Sequence, residues 1–151
     1  MSPHPGRDPV LGVRAADTSD SEQEARTMEQ TLYERLGGKP GIKALVDDVL
    51  EAHMQNPAIS ARFLPYLERP DDLNDAKAQL CAFFGAGSGG PEQYTGRDMV
   101  AAHRGMNIST GEYMAAIDDI MSVLAAHEID EMTRKDVLMI GYSLKGDITN
   151  Q

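Results

Sequence analysis

The stretch Gly89–Gly105, GGPEQYTGRDMVAAHRG, decides the reading of this 151-residue chain. Two glycines and a proline open it, Tyr94-Thr95-Gly96 interrupts it, and Gly105 closes it two residues after His103. Breakers at this density leave room for only a short helix, around His103. Upstream, glycines at 85, 87, 89 and 90 form a run up to Pro91. A helix through that run is disfavoured, because each glycine loses more backbone entropy on folding than any other residue. The prediction is a chain that leaves one helix near Gly85, crosses irregularly and delivers His103 on a single turn.

On both sides of this stretch the pattern is helical. Thr31 and Glu34 form a capping-box pair that opens a short helix, which ends at Gly37-Gly38. Pro40 suits the first turn of the next helix, which carries Ile42, Leu45, Val46, Val49, Leu50 and His53 at spacings of three and four. That helix ends near Asn56-Pro57. An irregular stretch with Phe63, Leu64, Tyr66 and Leu67 follows, broken by Pro65 and Pro70. Asp71 or Asp72 is expected to cap a helix holding Leu73, Ala76, Leu80, Phe83 and Phe84. After His103, Ser109 and Glu112 form a second capping box ahead of Tyr113, Ile117, Ile120, Met121 and Leu124. A last helix runs from about Glu131 to Lys145. No stretch alternates with period two, so the fold class is all-α.

Charge and composition narrow the function. With 14 Lys plus Arg against 24 Asp plus Glu, the formal net charge is -10. Such a chain repels phosphate backbones and anionic membrane surfaces, so neither nucleic acid nor membrane is an expected partner. No apolar run nears the roughly 20 residues a membrane helix needs. One cysteine excludes an intrachain disulfide, and no signal peptide is visible, which together suggest a cytoplasmic protein. Residues 1–30 read as an extension, disordered or loosely docked: Pro3, Pro5 and Pro9 punctuate it, and Asp17 to Glu24 is acidic without apolar period. The domain is then 31–151. It has 9 Met but 3 Phe, 5 Tyr and no Trp, few large groups for a core.

Of the four histidines, His4 lies in the extension and His127 falls at a helix C-terminus, where imidazolium suits the dipole. His53 continues an apolar helix stripe three residues after Leu50, the place of a satisfied residue at the core edge. His103 differs, with Met99, Val100, Met106 and Ile108 around it. Neutral imidazole in an apolar setting stays unprotonated and ready to bind iron. No second His, Cys or carboxylate stands beside it at chelating spacing, which disfavours zinc or a dinuclear site. One protein ligand suffices only where another group supplies the rest, as a porphyrin does. Cys81 reads as a small core filler.

The Gly89–Gly105 stretch closely resembles the proximal region of group I truncated haemoglobins, with Gly-Gly-Pro, Tyr-Thr-Gly, a Met, the iron-binding His and a Gly two residues later. Thr31–Ile42, TLYERLGGKPGI, looks like that family's opening. The resemblance covers 31–151 and implies a truncated globin, a two-over-two helical sandwich around haem b with His103 as the metal ligand. It implies that Met99 packs one turn before the ligand, that Met106, Ile108, Tyr113 and Ile117 cover the same side, and that Phe63 and Phe84 wedge against the ring. Lys77 aligns with a residue that pairs with a haem propionate.

The distal side departs from the family pattern. Where relatives commonly place a Tyr, this chain has Leu50, preceded by Val49. Two registers are open on the facing helix: an ungapped one that brings in Leu80 and Ala76, and a shifted one that brings in Gln79, preceded a turn earlier by Asp75. The leading one leaves an apolar pocket without a hydroxyl donor. The resemblance implies dioxygen, carbon monoxide and nitric oxide as ligands, hence oxygen binding, transport or gas sensing rather than catalysis. Two alternatives stand beside this reading. One is a nitric oxide dioxygenase with an external reductase, and the other is a haem-free helical interaction module. His53 is a further, weaker candidate for the iron.

Overall fold

The computed structural model describes the backbone of residues 16–151, and the side chains from 19 onward except those of 27 and 28. Readings made for residues 1–15, His4 among them, lie outside the described residues. All regular elements here are helical: α1 (Ala16–Glu29), α2 (Leu32–Arg35), α3 (Gly38–Gln55), α4 (Ser60–Phe63), a 3-10 turn (Leu64–Glu68), α5 (Pro70–Gly87), α6 (Met99–His103), α7 (Thr110–Ala126) and α8 (Glu131–Ile148). One parallel bridge joins Ile108 to Thr149. No helix of the described residues is long and apolar enough to cross a membrane.

The four long helices after α1 form two layers. α3 packs on α5, α7 packs on α8, and α3 lies across α7. The stripe on α3 explains the arrangement: Ile42, Leu45, Val46 and Leu50 share one face and are buried together with Leu36, Val123 and Leu124. Leu73, Leu80, Cys81 and Phe84 of α5 close on the same cluster. Both capping boxes read from the sequence mark real helix starts. The Thr31 hydroxyl accepts from the Glu34 amide at 3.2 Å. Ser109 accepts from Glu112 at 3.1 Å, and Glu112 accepts from the Ser109 amide at 3.3 Å.

Residues 16–29 are helical, with the described side chains exposed. Three local expectations are corrected. α4 and the 3-10 turn occupy the stretch read as irregular. Pro70 begins α5 rather than breaking before it, so Asp71 and Asp72 sit inside the first turn, where carboxylates favour the helix dipole. The glycine run does not end α5 at Gly85; the helix continues to Gly87. The reason is packing. A Cβ on Gly85 would lie 2.7 Å from Glu92 Oε2, and one on Gly90 would lie 2.5 Å from the same oxygen. The glycines make the slot that Glu92 fills, and its other oxygen accepts from the Tyr33 hydroxyl at 2.8 Å. The Ser88 hydroxyl then closes the helix on the Phe84 carbonyl at 2.6 Å, and Gly89, at φ 92°, turns the chain away.

Gly41 allows a direct test. Alanine in place of a helical glycine ordinarily stabilises by about 1 kcal/mol. A Cβ on Gly41 would strike the Leu36 carbonyl oxygen, which is backbone and cannot yield. Gly41→Ala should therefore lower the thermal midpoint; a raised midpoint would disprove the tight α2–α3 corner.

Candidate functional site

α6 is five residues long and is held at its start by Asp98, whose Oδ1 accepts from the Ala101 amide at 2.8 Å. His103 occupies its last position. The His103 Nδ1 lies 2.8 Å from the Met99 carbonyl oxygen. A carbonyl only accepts, so Nδ1 is the donor, and in the neutral imidazole Nε2 is the nitrogen with the lone pair. Past His103, Gly105 turns at φ 86°. The next residues are tied to the C-terminus: the Asn107 amide donates to the Gln151 carbonyl and the Asn150 amide to the Ile108 carbonyl, both at 2.8 Å. The imidazole is thus oriented from its own helix and anchored downstream.

On α5, α6 and α8 the apolar groups are only half covered. Gly85 is the sole buried residue of α5, α6 has none, and α8 has only Thr133. Leu80, Phe83, Phe84, Met99, Val100, Ile140 and Leu144 are all half-buried. α6 packs on α8 while α5 packs on α3, and α5 and α6 share at most marginal contact. Half-buried apolar side chains thus lie on α5, which packs on α3, and on α6 and α8, which pack on each other. Apolar groups left half-covered on several helices suit burial by a further apolar group.

The remaining predicted residues fall into place as follows. Tyr113 and Ile117 are buried in the α7–α8 seam. The Tyr113 hydroxyl donates to the Gly141 carbonyl at 2.5 Å, and burial raises its pKa. Ile117 Cδ1 lies 2.7 Å from where a Gly141 Cβ would be, so a side chain there would push the tip of Ile117 aside. Met106 is exposed and Ile108 half-buried beside the bridge. Leu50 is buried in the core cluster, and Val49 and Leu80 pack against it. Ala76 is half-buried one turn before Leu80. Gln79 is exposed and turned elsewhere, with Oε1 2.8 Å from the position of a Cβ on Gly96. Lys77 Nζ lies 3.1 Å from Asp47 Oδ1, a half-buried carboxylate on α3. That carboxylate is held below its usual pKa chiefly by Lys43.

Phe63 packs on the core cluster, and its ring lies 4.8 Å from that of His53. His53 is buried, and its Nδ1 donates to Asp119 Oδ2 at 2.8 Å. The Asn56 amide holds both Asp119 oxygens at 3.1 Å. His53 is therefore the satisfied residue that its stripe suggests. Sequence reasoning missed Asp119 and Asn56; the signal was an acid flanked by Ile117 and Ile120. His127 Nε2 pairs with Asp48 Oδ2 at 2.6 Å at the end of α7. Cys81 is half-buried, and burial raises its pKa, which keeps it a neutral thiol rather than a thiolate ligand.

The family model described as bacterial-like globin matches residues 31–150. The group 1 truncated haemoglobin of Tetrahymena pyriformis is 29% identical over 120 residues, covering 72% of this chain and 95% of that protein. A group 1 truncated haemoglobin of a Nostoc species is 27% identical over 121 residues, covering 80% of this chain and 98% of that protein. Among solved structures, the Fe(III) form of the Tetrahymena pyriformis truncated haemoglobin superposes with a TM-score of 0.73 at 24% identity, covering 81% of this chain and 100% of that one. The group II truncated haemoglobin of Bacillus anthracis gives 0.69 at 22% identity, covering 81% and 92%. At these identities the structures establish the fold alone.

One ion pair secures the Phe63 end. The Arg62 guanidinium bonds the Glu112 carboxylate, joining α4 to the first turn of α7. Arg62 holds that carboxyl below its ordinary pKa. A depressed folded pKa contributes stability that is complete above the unfolded value, about 4.3 for Glu, and is lost as pH falls through the folded value. The thermal midpoint of the native chain should exceed that of Glu112→Gln at neutral pH, with the difference shrinking as pH falls below about 4.3 and gone once pH passes below the depressed folded value. A difference that persisted unchanged there would disprove the ionic link.

Proposed function

Because the chain belongs to the bacterial-like globin family, we propose that it binds one haem b through Nε2 of His103 and takes up dioxygen, with carbon monoxide and nitric oxide as competing ligands. The observation that carries this reading is the His103–Met99 hydrogen bond at 2.8 Å, which fixes the imidazole from its own backbone and leaves Nε2 as the nitrogen to ligate iron. Haem supplies the metal position at which a diatomic gas binds. The chain's residues supply everything else.

Met99, Met106 and Ile108 then flank the ligand side, with Tyr113 and Ile117 behind them. Phe63, Phe84, Ala76 and Leu80 face the opposite side, and Leu50 and Val49 complete its wall. Leu80 takes the distal position rather than Gln79, since Leu80 shares the Leu50 cluster and Gln79 points to Gly96. An apolar wall excludes water and offers no donor. Dioxygen held there lacks a hydrogen bond of roughly 1.5–3 kcal/mol, the range for charged or strongly polarised partners. Carbon monoxide depends less on such a donor, so its binding is expected to stay strong. This favours binding, transport or sensing over turnover. Residues 31–151 form the globin, residues 1–30 are an appendage, and one cysteine with an acidic charge suits a reducing cytoplasm.

Replacing His103 with Gly should abolish the histidine-ligated haem spectrum, and added imidazole should restore it. An unchanged spectrum in the variant would refute the assignment. Leu50→Tyr adds a hydroxyl to the wall and should slow dioxygen release about tenfold or more, at 1.4 kcal/mol per factor of ten. Release as fast as in the native chain would show that position 50 does not face the ligand.

A further inference from the structure

The segment between α5 and α6 is laced to α5 by side chains that the haem reading leaves unused. The Tyr94 ring stands edge-on to Phe83, with centroids 5.2 Å apart and an interplanar angle of 78°. Its hydroxyl donates to the Arg97 carbonyl at 2.6 Å, closing a loop over residues 94–97. Gly96 lies inside this loop. A Cβ there would sit 2.5 Å from the Tyr94 hydroxyl oxygen and 2.8 Å from Gln79 Oε1. Gln79 and Phe83 are four residues apart on α5, hence on one edge of it. Both meet the same loop.

What lies beyond the loop matters more. Asp98, the cap of α6, directly follows Arg97, and it holds the Ala101 amide by its side chain and the Ala102 amide by its carbonyl, each at 2.8 Å. Five residues are far too few for a helix to stand alone. α6 packs on α8. Its N-terminal end is set by the sequence of contacts Phe83 to Tyr94, Tyr94 to Arg97, and Asp98 to the first turn. His103 ends that turn and accepts its own orientation from Met99 within it.

We propose that Gln79, Phe83, Tyr94 and Gly96 form a clasp between α5 and the α6 lead-in that presets the direction of His103 before haem enters. Tyr94 and Gln79 are positioning residues. They act on the ligand through α6 and not by contact with the metal. The clasp rests on the reading of His103 as the haem ligand, but its effect on α6 exists without haem.

The test uses the full chain in two states. In the haem-free protein, amide hydrogen exchange at Ala101 and Ala102 is followed by NMR in the native chain, Tyr94→Ala, Tyr94→Phe and Gly96→Ala. In the haem-loaded protein, haem release to excess apomyoglobin and the iron–histidine stretching band are measured. The clasp predicts faster α6 exchange in Tyr94→Ala and Gly96→Ala, by about tenfold, with α3 and α7 amides unchanged. It also predicts faster haem release, with Tyr94→Phe intermediate because it keeps the ring and loses the hydroxyl. Exchange at α6 equal to the native chain, or equal acceleration in all helices, would overturn the clasp. Failure of His103→Gly to lose the histidine-ligated spectrum would overturn the ligand assignment instead and leave the exchange result standing.

Discussion

The hydrogen bond from His103 Nδ1 to the Met99 carbonyl is the contact on which the rest depends. An imidazole free to rotate, or protonated on the wrong nitrogen, binds iron poorly, and ligating histidines are usually held by such a second partner. Here the partner is the backbone of the same short helix. The orientation of the imidazole is therefore only as good as the placement of α6. Asp98 caps that helix, α8 supports it, and the bridge from Ile108 to Thr149 fastens the chain that leaves it.

The second constraint is volume. The buried apolar set among the described residues is aliphatic apart from Tyr113, and it clusters where α3 meets α7. A chain with 3 Phe, 5 Tyr and no Trp has few large side chains with which to fill a core. Its 9 Met are flexible fillers that adapt to a flat partner. On the proposed reading the cofactor completes the core, which is why α5, α6 and α8 carry so many half-buried apolar side chains.

Much of this was legible in the sequence because it rests on local chemistry. Thr31 with Glu34 and Ser109 with Glu112 mark helix starts through bonds made within three residues. The α3 stripe from Ile42 to Leu50 marks its buried face by period alone. The short helix at His103 follows from the breakers around it. What local patterns missed depends on distant partners. Gly85 stays helical because Glu92, seven residues on, needs the space its missing side chain leaves. His53 pairs with Asp119 across sixty-six residues of chain. Lys77 turns to Asp47, and Gln79 to Gly96; neither choice is visible in the spacing of α5. Pro70 was ambiguous because proline both breaks helices and begins them.

The most direct test of haem ligation by His103 is titration of the purified full-length chain with ferric haem, followed by reduction and resonance Raman spectroscopy. Saturation of a Soret band at one haem per chain, with an iron–histidine stretching band in the ferrous state, is the expected result. A chain that takes up no haem, or takes it up without a histidine ligand, would contradict it.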